Sequence, residues 1–235
     1  MAHDKDTAHT VKSYDEELAL LVNTIALMGT LAETQLANAV QAMLQRDSDL
    51  ANQVVAEDVK IDELEQDVHK RVVRLLALRQ PVAIDLRHIV IGLKVSSDLE
   101  RIADYATNLA KRSIVLNQFP LVNPVTGIVR MSRLAQELIR DVISAYIERD
   151  RDRAITTWRR DEEVDEMYIS LFRELVTYMM EDPRNITACT HLMFMAKNIE
   201  RIGDHVTNIA ESIHFLIEGT PLRGRRSKGE MHPSP

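Results

Sequence analysis

Cysteine is nearly absent. Cys189 is the only one in 235 residues, so no disulfide can close within the chain, and a reducing cytosol is the expected compartment. Glycine and proline are scarce, at seven each, and aromatic residues make up 4%. So few turn formers argue against a sandwich or barrel of many short strands and favour long helices. No run approaches the ~20 apolar residues expected of a bilayer span. The opening residues, MAHDKDTAHT, lack the apolar core of a secretory signal. Basic charge is also in deficit. Lys and Arg number 29 against 36 Asp and Glu, and the net charge of −7 disfavours nucleic acid as a partner. A Gly-rich phosphate loop, G-x-S-x-G and H-E-x-x-H are all missing, so the chain reads as a non-enzyme.

What the chain does have is a repeat. Glu100-Arg-Ile-Ala-Asp104-Tyr-Ala-Thr-Asn108 returns as Glu200-Arg-Ile-Gly-Asp204-His-Val-Thr-Asn208. Across 98–110 and 198–210, seven of thirteen positions are identical, and most of these are charged or polar. Upstream, at a shift of 103, Met28 meets Met131, Leu36 meets Ile139 and Arg46-Asp47 meets Arg149-Asp150. Asp58 meets Asp161 and Asp62 meets Asp165. A loss of three residues near Pro81 and Pro183 accounts for the change of offset.

Each half reads as three helices. The first half predicts helices over 10–46, from there to Arg79, and from Pro81 to Asn117. Asp47, Ser48 and Asp49 offer N-caps, and Pro81 suits a first helical turn. The second half predicts helices over 126–149, 151–181 and 184–218. Ile61, Leu64, Val68, Val72 and Leu75 form an apolar stripe, matched by Val164, Met167, Leu171, Leu175 and Tyr178. The expected fold is all-α: two tandem pseudo-symmetric three-helix bundles over 1–121 and 122–218. A tail over 219–235, rich in Gly, Pro and Arg, is expected to be disordered.

At about 100° per residue, Glu100, Asp104, Thr107 and Asn108 fall on one side of their helix. Val95, Leu99, Ile102, Ala106 and Leu109 fall on the other, so the motif is expected to face away from its own core. Acids at i and i+4 repel by a few tenths of a kcal/mol unless a cation or partner compensates. Asp58 with Asp62 and Asp161 with Asp165 repeat that spacing on the preceding helix. Antiparallel neighbours could then converge four carboxylates in each half, a set suited to Mg, Mn, Fe or Zn ions. A solvated acidic face neutralised by Arg101 and Arg201 is the plainer alternative. His69 and His205 face Phe172 and Tyr105 in the repeat, which argues against a ligand role for either. Cys189 reads as a core residue.

With its tandem E-R-I-x-D-x-x-T-N motifs and duplicated three-helix plan, the chain resembles the PhoU-type phosphate-uptake regulators over about 10–218. The resemblance implies metal binding at Asp58, Asp62, Glu100 and Asp104 in the first half. In the second it implies Asp161, Asp165, Glu200 and Asp204. It also implies a cytoplasmic negative regulator of the phosphate-starvation response. Such a regulator links the ATPase subunit of a phosphate ABC transporter to a membrane sensor histidine kinase, and a homodimer is expected. A ferritin-like di-metal oxidase is the competing class. Glu211-Ser-Ile-His214 has the Glu-x-x-His spacing which that class needs, but Lys111 to Ile114 does not repeat it. A third reading makes the acids a docking surface for a basic partner.

Overall fold

The computed structural model describes residues 3–79, 84–120 and 125–222, with side chains over 16–78, 84–120 and 125–222. Among them there is no strand. The first half contains α1 (His3–Gln45), α2 (Ser48–Glu57), α3 (Val59–Arg79) and α4 (Ile84–Leu116). The second contains α5 (Val125–Glu148), α6 (Arg151–Glu181), a 3-10 turn (Pro183–Asn185) and α7 (Ile186–Glu218). The expected all-α plan therefore holds. The stretch 223–235, where most of the tail expected to be disordered falls, lies outside the described residues.

The helix ends repeat as the sequence does. Arg46 and Arg149 both take left-handed backbone angles, φ 56° and 54°. A non-glycine residue there costs roughly 1–2 kcal/mol, and each arginine makes side-chain bonds that offset it. Arg46 donates to the carbonyls of Asn117 and Phe119, and Arg149 donates to His88 Nδ1 at 2.9 Å. The next residue caps the following helix in both halves. Asp47 accepts from the N–H groups of Asp49 and Leu50 at 3.0 and 2.9 Å, and Asp150 accepts from Arg153 at 3.0 Å.

One helix differs from expectation. The second helix of the first half is divided at Asp58, whose carbonyl accepts from Ile61 at 3.0 Å and Asp62 at 3.4 Å. Its counterpart α6 runs unbroken through Asp161.

The two halves share one core. Leu21, Ile25, Met28, Ile61, Leu75, Val95, Leu99 and Ile102 are buried with Ile128, Met131, Leu138, Val164, Leu175, Ile199, Ile202 and Val206. Each such side chain contributes about 1.5–3 kcal/mol. The halves meet where α4 packs on α7 and α1 on α5. Cys189 is buried, as its apolar neighbours suggest. The stretch Glu16–Gln45 of α1 is long and apolar enough to pass for a membrane span by length and composition, which corrects the sequence reading. Yet Leu21, Ile25, Met28, Ala32 and Leu36 of that stretch are fully enclosed by protein.

Candidate functional site

In the first half, α3 lies beside α4 and brings its acids to the motif. Burial, and then the charge of Asp104, lift the Glu100 carboxyl to about 7, with Glu65 and Asp62 adding and Arg101 opposing. Burial also raises Asp58; the Thr107 hydroxyl opposes this, and Asp104 and Asp62 reinforce it. Asp58 is therefore within electrostatic reach of Asp62 and Asp104, and Glu100 within reach of the same two acids. Glu65 joins them; its signal in the sequence is i+3 spacing from Asp62. Arg101 bridges the motif, with Nε 3.5 Å from Glu100 Oε2 and Nη1 3.3 Å from Asp104 Oδ2.

The second half is built differently. Asp161 is 4% exposed, which corrects the expectation of an outward acid. Its Oδ1 presses on α7 at Gly203, whose missing Cβ makes room; the first half has Ala103 there. Glu200 is paired with Lys197 Nζ at 2.6 Å rather than with Arg201. Asp165 and Asp204 are half-buried. The motif threonine is enclosed in both halves, and Thr207 donates to the carbonyl of Asp204 at 2.6 Å.

As a donor set for a hard cation, the first-half acids fit by chemistry. They are crowded carboxylates, one held near 7 largely by burial and by its neighbours' charge. Among the described residues, however, no three His, Cys, Asp or Glu side chains are drawn together closely enough to enclose an ion. Arg101 and Lys197 instead provide counter-charge to the motif acids.

A second polar cluster joins the halves. Asp98 on α4 is 8% exposed and contacts two residues of α7, His205 Nδ1 at 2.8 Å and Asn208 Nδ2 at 3.4 Å. Asn208 thus bonds to Asp98 rather than to an acid of its own motif. The Tyr105 and His205 rings meet at 5.7 Å, and Arg201 lies 5.7 Å from the Tyr105 centroid. Sequence reasoning missed Asp98 because its counterpart is Asn198, so the repeat hides it. The available signal was the two positions where the repeats differ in polar or aromatic type, Asp98 against Asn198 and Tyr105 against His205.

The Glu-x-x-His pair has other partners. Glu211 accepts from Trp158 Nε1 at 3.0 Å, and the His214 ring bonds to the Thr220 carbonyl at 3.1 Å. Nothing in this arrangement builds the inward-facing set of a di-metal oxidase. His69 is exposed and bonds to the Glu65 carbonyl at 3.0 Å.

Two tandem three-helix units on one core, with an acidic motif kept in both, define a class of duplicated all-α protein. The family model described as PhoU domain matches twice, at residues 25–113 and 128–213. The chain belongs to the PhoU family. A Caulobacter vibrioides relative named phosphate-specific transport system accessory protein PhoU homolog is 52% identical over 223 residues, covering 94% of this chain and 97% of the relative. A Xylella fastidiosa relative of the same name is 47% identical over 220 residues, covering 94% and 91%. The crystal structure of PhoU from Pseudomonas aeruginosa superposes with a TM-score of 0.85 at 38% identity, covering 88% of this chain and all of that one. The phosphate transport system regulatory protein PhoU from Streptococcus pneumoniae superposes at 0.83 with 26% identity, covering 89% and 99%. The family consists of accessory and regulatory proteins, and this chain is a non-enzymatic member.

Proposed function

We propose that the chain is a cytoplasmic regulator of phosphate uptake that restrains the phosphate-starvation response. It acts as a scaffold between the ATPase subunit of a phosphate ABC transporter and a membrane sensor histidine kinase. It works as a homodimer and reaches the membrane only through these partners. Its units are 1–121 and 122–218. Asp58, Asp62, Glu100 and Asp104, and separately Asp161, Asp165, Glu200 and Asp204, bind divalent or trivalent metal ions such as Fe, Zn, Mn or Mg. The regulatory part of this reading is supported by the two PhoU-domain matches, and the metal part by the acids near Glu100 in a motif that the second half repeats.

Deleting the gene should leave phosphate-starvation genes active in phosphate-rich medium; silent genes would remove the regulatory reading. Elemental analysis of protein purified without chelator tests the metal reading separately. Glu200→Ala with Asp204→Ala should lower bound metal, and unchanged stoichiometry would favour a docking surface for a basic partner.

A further inference from the structure

Where α4 ends and α7 begins, Arg112 and His191 sit together with no carboxylate bonded to either among the described residues. Arg112 of α4 lies over the ring of Phe194 of α7, its Cζ 4.2 Å from the centroid. His191, almost one turn earlier on α7, stacks on Phe119 at 6.4 Å with planes 30° apart. Phe194 is 50% exposed. Burial alone lowers the Arg112 pKa, with no carboxylate acting on it among the described residues. Burial and then the charge of Arg112 lower that of His191, so the ring is held toward its neutral form beside the guanidinium. His191 Nδ1 is shut from solvent with no hydrogen-bond partner. Arg46 adds a second positive group by binding the carbonyl of Phe119. The neighbouring carboxylate of Asp47 is committed to capping α2.

The fold does not require this cluster. In the repeat, Arg112, His191 and Phe194 correspond to Ser212, Ile91 and Lys94. A guanidinium flat on an aromatic ring keeps its N–H edge available, and that edge matches the paired oxygens of a carboxylate or phosphate. A bound anion would also draw the His191 ring back toward its protonated form, opposing the effects of burial and of Arg112. The geometry points to an oxyanion site at Arg112 and His191, with Phe194 as its platform, that takes a phosphate or carboxylate group.

The test uses the full chain. Inorganic phosphate and acetate are titrated separately, with chloride holding ionic strength constant, while the His191 ring signals are followed by NMR and the heat by calorimetry. The expected result is a saturable shift at His191 with none at the distant His69. Arg112→Gln should weaken binding about tenfold or more, and Arg112→Lys, which keeps the charge but loses the fork, should weaken it severalfold. Saturation by phosphate alone assigns the site to tetrahedral oxyanions, and saturation by both ligands assigns it to oxyanions in general. Shifts that never saturate, or equal affinity in wild type and both folded variants, would overturn the site.

Discussion

Asp161 Oδ1 lies directly over Gly203, so that a methyl group at residue 203 would overlap it. Glycine at 203 lets α6 approach α7 this closely beside the second motif, and the first half has Ala103 at that position. Gly203→Ala should destabilise the protein by about 1–3 kcal/mol in urea denaturation. Removing the carboxylate should relieve the clash, so Asp161→Ala combined with Gly203→Ala should cost less than the sum of the two. Strict additivity would show that the overlap is not the cause.

His205 and Asp98 join the halves by a side-chain pair. His205→Ala would leave a largely enclosed carboxylate without its nearest donor, at a cost of about 2–3 kcal/mol. Asp98→Asn should cost less, because an uncharged amide tolerates burial better and asparagine is the residue the other half uses at 198. Equal costs for the two substitutions would mean that charge at this junction is immaterial.

The Glu100 carboxyl gives a pH signature. Its folded value of about 7 lies above the ordinary 4.5, so between those limits the native state binds more protons than the unfolded state. The contribution therefore weakens the fold as pH rises through that window. In chelated buffer, Glu100→Gln should gain on wild type across the same range, levelling at about 1 kcal/mol after allowance for solvent screening. A constant difference between pH 4.5 and 7 would contradict the shift.

His88 has the opposite sign. Burial, and then the charge of Arg149, lower its pKa from 6.5 to about 4, against Asp85. The unfolded chain takes up the proton first, so stability is lost as pH falls from 6.5 toward 4, by up to about 3 kcal/mol. NMR titration of the ring should find it neutral at pH 5; a midpoint above 6 would refute the assignment.

Much of this architecture was legible because duplication checks itself. Arg46-Asp47 and Arg149-Asp150 match in sequence and share the same φ angles and caps. The crowding of Asp58, Asp62, Glu100 and Asp104 follows from i,i+4 spacing on adjacent helices. The break at Asp58 was not legible, because neither glycine nor proline marks it and the apolar stripe continues across it. Nor was the burial of Asp161, which depends on Gly203 in another helix. The roles of Lys197 and Asp98 were hidden for a simpler reason. Both sit where the repeats differ, Lys197 opposite Ser97 and Asp98 opposite Asn198. Helical periodicity assigns a residue to a face but does not say which neighbouring cation reaches it.

The seam at Asp58 has an electrostatic consequence. In the first half, one residue is both the junction of α2 and α3, with helical angles of φ −55° and ψ −39°, and a carboxylate whose charge Asp62 and Asp104 oppose. In the second half, α6 passes unbroken through Asp161, which is seated against Gly203. The duplicated halves have thus come to use the same acid in two ways: one leaves it among like charges, and the other encloses it against a neighbouring helix.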